Sequence, residues 1–221
     1  MTIIFFMKAK ACIFDFDGVI VDSEKYHHLA WQQIAAEMGI EFSYEEYAPM
    51  KSAGRQVVIP YLLQKAGVPV TTELFEHYRA LRGEKIEKAL LELSEKDVLR
   101  GVVPFLHLIK QNGILCAVAS SSAAATATAK RFGLYDLFDV FVDGNAALPN
   151  KPAPDLFLHA ARLLNTPACD CVVFEDSLNG LLAAQNAHMH SVGIATHFTT
   201  IADKVIDDFV GANLQLLQFE D

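Results

Sequence analysis

Cysteine is scarce in this sequence: four residues in 221, with no zinc-binding Cys-x-x-Cys pair. Cys169 and Cys171 stand too close for an ordinary disulfide within a strand. Cys12 and Cys116 fall in apolar, strand-like runs, so buried free thiols and a reducing, cytoplasmic setting are expected. Long apolar runs are missing too. No stretch approaches the roughly 20 residues that span a bilayer, so no membrane partner is expected. The opening MTIIFFM is apolar but too short for a signal core, with no basic segment before it and no small-residue cleavage site after it. Residues 1–7 are expected as a ragged extension before the first strand, with Met7 as an alternative start. Positive charge is in deficit, 18 Lys plus Arg against 27 Asp plus Glu, for a net −9. That balance disfavours nucleic acid and anionic membrane as partners. A small anionic substrate stays open if a local cation, side chain or metal, offsets the field.

What is present is apolar mass. At 52% hydrophobic residues the chain can build a sizeable core, as one large domain or one domain carrying a smaller insert. Residues 11–16 (ACIFDF) predict a buried strand. From about Asp22 to Met38 the period turns helical, with Trp31, Ile34, Ala35 and Met38 on one face. Residues 44–93 carry only helical signals, with a kink or break expected at Pro60. The strand–helix rhythm returns near residue 98. Strands are expected over 114–119, 139–143, 171–174 and 191–195. Helices are expected from Val102 to near Gly113, over 121–132, around Phe157–Leu164 and over 177–187. The tail from Thr200 is less clear. This alternation predicts an α/β fold, a doubly wound parallel sheet. Residues 1–22 and 94–221 form the core, and 23–93 form an inserted all-helical unit.

In such sheets the ligand lies beyond the carboxyl ends of the strands. Those positions hold Asp15 and Asp17, Ser120 and Ser121, Asp143 and Gly144, and Glu175 and Asp176. Four acids meeting at one sheet edge need a cation, and oxygen-only ligands suit Mg²⁺. Lys151 in NKPAP adds a fixed positive charge, and the serines open a helix whose amino end suits an anion. Together these describe a phosphoryl-transfer site. One carboxylate can act as nucleophile and a second, two residues on and on the same strand face, as general acid and base. Gly18 permits a sharp turn. Taken singly, several of these residues have plainer uses. Glu175–Asp176 also fits a helix N-cap pair, Ser122 and Asp22 fit N-caps, and Gly180, Ala183, Ala184 and Ala187 fit close helix-on-sheet packing.

The strings DFDGVIVDSE, ASS at 119–121, KPAPD at 151–155 and FEDSLNGLLAA at 174–184 occur in the order of four signatures of the haloacid dehalogenase superfamily. The chain resembles its phosphatase-type members, which have Asp at both acid positions. The resemblance implies Asp15 as nucleophile, Asp17 as general acid and base, and Ser120, Ser121 and Lys151 as phosphate contacts. It implies Mg²⁺ held by Asp15, the Asp17 carbonyl and Asp176, with Glu175 direct or through water, and a small helical cap. KYHHLAW (25–31) and KSAGR (51–55) resemble the beta-phosphoglucomutase-like group, placing His27 and Arg55 as cap contacts to substrate. His27 also fits a core-edge position and Arg55 a simple ion pair. The mutases have Gly near Ser52, Ser near Gly54, and Lys-Asn where this chain has Ala123 and Ala124. Their cap lysine falls near Arg79, Arg82 or Lys85. The expectation is a Mg²⁺-dependent, cytoplasmic, monomeric phosphatase acting on a small phosphate ester, most simply a sugar phosphate. A phosphomutase is the alternative, and a catalytically silent binding protein on the same fold is a third reading.

Overall fold

The computed structural model describes residues 6–50, 54–196 and 198–220. It divides into two compact units, Met1–Asp22 with Glu95–Asp221, and Ser23–Ser94. The first is an α/β unit. Its six-stranded sheet runs in the order β4-β3-β2-β5-β6-β7. The strands are β2 (Ala11–Phe14), β3 (Leu115–Ala119), β4 (Val140–Val142), β5 (Cys171–Glu175), β6 (His190–Ile194) and β7 (Lys204–Ile206). All neighbours pair in parallel. The central strands are unbroken apolar runs because both faces are covered. Ala11 and Ile13 pack with α7 (Asp155–Leu163) and α8 (Leu178–Asn186) in one core cluster. Phe14 points the other way, stacked on Phe174 at 4.5 Å between ring centroids. Phe105 of α5 (Val102–Gln111) and Phe209 complete that aromatic layer.

Three expectations change here. The first strand ends at Phe14, two residues short of the apolar run. The tail contributes strands, β7 and β8 (Gln218–Glu220). The backbone of β1 (Phe6–Lys8) pairs antiparallel with β8, so Phe6 and Met7 are no ragged extension, while residues 1–5 lie outside the described residues. Pairing between segments some 210 residues apart leaves no local trace in the sequence. The four cysteines are free, with Cys12, Cys116 and Cys171 buried and Cys169 exposed. Among the described residues no helix is long and apolar enough to cross a membrane.

The second unit holds α1 (Glu24–Glu37), α2 (Tyr44–Tyr47), α3 (Arg55–Lys65) and α4 (Thr72–Leu91). Trp31, Ile34 and Ala35 bury their shared face against Phe42, Val58, Ile59, Leu62 and Leu63. Pro60 does not break α3. Burial of Val58, Ile59, Leu62 and Leu63 around it outweighs one lost backbone hydrogen bond. Ser43 and Glu46 form a reciprocal capping box at α2. Glu46 also accepts from Lys65 Nζ and from Tyr61 Oη. The Lys65 bond first, then the Ser43 N–H and Tyr61, lower the Glu46 pKa to about 2. A depressed carboxylate stabilises the fold above its unfolded pKa of about 4.3, and that contribution fades as pH falls toward 2. Glu46→Gln therefore lowers the urea midpoint of the full chain at pH 7. The gap to wild type closes progressively below about pH 4.5. A gap that is constant with pH contradicts this.

Candidate active site

From β2 the chain winds outward through β3 and β4, and from β5 in the opposite sense through β6 and β7. The crevice of such a sheet opens between the carboxyl ends of the two strands where winding reverses, here β2 and β5. Phe14 pairs with Phe174 on one side and Val118 on the other, so one step on Asp15 lies level with Glu175 and Ala119. The Asp15 N–H donates to the Phe174 carbonyl at 2.9 Å. Asp15, Glu175 and Asp176 are all buried, and a carboxylate oxygen from each lies within 4.8 Å of the other two.

Lys151 arrives from the loop before α7. Its Nζ donates to Asp15 Oδ1 at 2.6 Å and to Glu175 Oε1 at 2.7 Å, and sits 4.7 Å from the Phe157 ring centroid. The Asn186 amide, donating to the Pro152 carbonyl at 2.9 Å, ties this loop to α8. Burial opposes the lysine's charge, but the two carboxylates outweigh it and raise its pKa. The partners of Lys151 diverge. Burial first, then repulsion from Glu175, Asp17 and Asp176, lifts Asp15 well above the ordinary carboxylate range despite Lys151. Burial pushes Glu175 the same way, but Lys151 and the two Ser177 donors prevail and hold it low.

Sequence reasoning missed how Glu175 is held. The Ser177 N–H and Oγ both donate to Glu175 Oε2, at 2.8 and 2.9 Å. The same hydroxyl accepts the Gly180 N–H at 3.1 Å, so Ser177 is the N-cap of α8. Serine two positions after the acid was the available signal. Gly180 packs close on the sheet as expected, and there it meets a polar group. A Cβ there would lie 1.8 Å from Glu175 Oε1, so its bare backbone is what admits the buried carboxylate. Ala183, Ala184 and Ala187 do pack in the core. Ser177→Ala removes a cap and a carboxylate anchor together. It should cost about 1–3 kcal/mol of unfolding free energy, read by urea denaturation; a cost below a few tenths contradicts the anchoring.

Asp17 does not ride the same strand as Asp15. It is half-buried on a tight turn, where the Ile20 and Val21 N–H groups converge on the Phe16 carbonyl and the Gly18 N–H donates to the Val21 carbonyl at 2.7 Å. Gly18 has φ +82°, and a Cβ there would meet Asp176 Oδ2 at 2.2 Å. The glycine therefore lets this turn approach Asp176. Asp22 is exposed and does not cap α1, whose N-cap position is Ser23. Ser120 follows β3, buried, with its Oγ accepting the Ser122 N–H at 3.0 Å. Ser121 is exposed on the same turn. The helix expected from residue 121 begins only at Ala125 and spans seven residues. The serines thus lie on a turn that precedes the short α6, with Ser122 Oγ accepting the Ala124 N–H.

His27 and Arg55 belong to the helical unit. Arg55 is exposed in the first turn of α3. His27 is half-buried, and Arg82 Nη2 donates to its Nδ1 at 3.1 Å while stacking on Trp31 at 4.6 Å. An always-charged guanidinium only donates, so Nδ1 is the acceptor and Nε2 carries the proton. Arg79 and Lys85 instead pair with Glu76 and Glu37. Ser52 lies outside the described residues.

Three buried carboxylates against one lysine leave an excess of two negative charges in a low-dielectric crevice. Burial first, and then this crowding, raises the Asp15 pKa, and an all-oxygen donor set of this kind fits a hard divalent cation.

Comparison with known proteins places this geometry in context. The family model described as haloacid dehalogenase-like hydrolase matches residues 9–188. A beta-phosphoglucomutase of Bacillus subtilis (strain 168) is 32% identical over 214 residues, covering 96% of this chain and 95% of that protein. A fructose-1-phosphate phosphatase of Escherichia coli (strain K12) is 28% identical over 182 residues, covering 82% of this chain and 94% of that protein. A solved beta-phosphoglucomutase from Clostridium difficile superposes with a TM-score of 0.84 at 27% identity, covering 94% of this chain and 95% of that one. On its matched length, its fold and its order of strand-end acids, this chain belongs to the haloacid dehalogenase-like hydrolases.

Proposed function

We propose that the protein is a Mg²⁺-dependent phosphatase that hydrolyses a small phosphorylated metabolite, a sugar phosphate, through a phosphorylated Asp15. The observation that carries this reading is the buried Asp15 carboxylate at the sheet's switch point, hydrogen-bonded to Lys151 at 2.6 Å. An Asp15 oxygen attacks phosphorus, and the bond from phosphorus to the ester oxygen breaks. Asp17 gives a proton to the departing alkoxide and then takes one from water. That water attacks the phosphorus of phospho-Asp15, releasing inorganic phosphate and restoring the carboxylate. Lys151 balances charge at the nucleophile, and Ser120 and Ser121 hold phosphoryl oxygens. Asp15, the Asp17 carbonyl and Asp176 would hold the Mg²⁺ ion, with Glu175 direct or through water; when bound, it neutralises charge on the transferred group.

The test is phosphate release from a panel of sugar phosphates with and without Mg²⁺. Turnover that collapses on chelation and returns with Mg²⁺ is expected. Release that is unaffected by chelation contradicts the metal assignment. The 32% identity to a beta-phosphoglucomutase favours one second reading, a phosphomutase in which the sugar recaptures the phosphoryl group before water does. Dependence on a sugar bisphosphate with little net phosphate release would establish it. The same reading takes the enzyme as cytoplasmic and monomeric, and light scattering at assay concentration checks the single-chain mass.

A further inference from the structure

We infer that Asp143 is a positioning residue whose carboxylate clasps the Ser120–Ala124 turn into shape for a phosphoryl group, an inference that rests on the phosphatase reading. The turn needs outside support, because the helix after it starts only at Ala125 and its N-cap residue Ala124 makes no side-chain cap. Among the described residues, Ser120 Oγ and Ser122 Oγ bond only to N–H groups of the turn itself, at 3.0 and 3.3 Å. Support arrives from the loop after β4. Ala119 pairs with Val142, and the Ser120 N–H donates to the Val142 carbonyl at 2.9 Å. Two residues on, the Gly144 N–H donates to the Ser122 carbonyl at 3.2 Å. Asn145 Nδ2 donates to the Ala123 carbonyl at 3.3 Å.

Asp143 organises these contacts. Its Oδ1 accepts from the Asn145 N–H and from Asn145 Nδ2, both at 3.0 Å. Its Oδ2 accepts from Thr126 Oγ1, in the first turn of α6 (Ala125–Arg131), at 2.5 Å. One carboxylate thus ties the far end of the serine turn, aiming Asn145 at the Ala123 carbonyl and fixing α6 behind it, while the backbone of Val142 holds the Ser120 end. The fit is close. A Cβ on Gly144 would stand 2.5 Å from the Ser121 carbonyl oxygen and 2.9 Å from the Ala123 nitrogen. Negative charge at this sheet edge works against an anionic substrate, so charge and positioning predict opposite effects of losing Asp143.

Three substitutions separate them. Asp143→Asn keeps an acceptor for Asn145 and lets the rotatable Thr126 hydroxyl accept from the new amide, so the clasp survives without its charge. Asp143→Ala and, at an exposed position, Asn145→Ala break the clasp. Both alanine variants should raise KM about 10-fold or more while kcat falls less than about 3-fold. Both should weaken inorganic phosphate binding, measured by calorimetry with Mg²⁺, by a similar factor. Asp143→Asn should match wild type or bind phosphate slightly tighter. Wild-type KM and phosphate affinity in Asn145→Ala, or tighter phosphate binding in Asp143→Ala, would overturn the clasp. Phosphate affinity needs no turnover. A wild type that hydrolyses no ester would therefore count against the phosphatase reading, while the calorimetric comparison still decides the clasp.

Discussion

Asp15→Asn should abolish ester hydrolysis, with kcat/KM falling by about 10⁴-fold or more, while the protein stays folded. The substitution is isosteric and removes only the nucleophilic charge. Amide for carboxylate also relieves the crowding that lifts Asp15, since Glu175, Asp17 and Asp176 all press on it. The metal-free variant should therefore melt no lower than wild type, and somewhat higher. Loss of activity with retained or increased stability is the signature of a charge placed for chemistry at the fold's expense. Circular dichroism melts beside phosphate-release assays check both halves. Residual turnover within 10-fold of wild type would remove Asp15 as the nucleophile.

Lys151→Met should be the most destabilising single change at the site. The lysine is nearly inaccessible, and among the described residues it supplies the one cation within hydrogen-bonding distance of both Asp15 and Glu175. Methionine fills a similar volume against Phe157 but leaves two buried carboxylates facing each other. Breaking a buried ion pair from one side costs about 3–5 kcal/mol, and loss of its charge on the transferred group costs about 10²–10³ in kcat. The stability deficit carries a sign in pH. Without Lys151 the folded-state carboxylates bind protons more readily than the unfolded chain's, so the deficit is largest at pH 7. It shrinks as pH falls through the unfolded carboxylate range near about 4. Urea denaturation at pH 7 and pH 4 measures this. A deficit that is equal at both pH values would mean lost packing, not unpaired charge, is the cause.

The sequence anticipated the strand-end cluster because residues at the ends of parallel strands converge. Asp15, Lys151, Glu175 and Asp176 each sit in a short string with its own signature, and the switch-point rule brings them together. What stayed hidden depends on distances that sequence order does not encode. Gly180 looks like one more small residue in an alanine stripe until the Glu175 carboxylate occupies the space its side chain would need. Asp15 and Asp17 suggest strand alternation, yet the backbone leaves the sheet at Phe14 and a turn carries Asp17. Pro60 signals a helix break, and tertiary burial overrides it. Strand β1 pairs with β8 from the far end of the chain. Asp143 stood among the strand-end residues, but its bonds to Asn145 and Thr126 give it a part that position alone does not reveal.

The central claim is a covalent phosphoryl group on Asp15. Rapid acid quench of the enzyme during turnover of a hydrolysed sugar phosphate, followed by borohydride reduction and peptide mass spectrometry, tests it directly. Modification at Asp15, absent when substrate is omitted and absent in Asp15→Asn, is the predicted result. Modification at another residue, or hydrolysis with no trapped phosphoenzyme in single-turnover experiments that resolve the chemical step, would contradict the account.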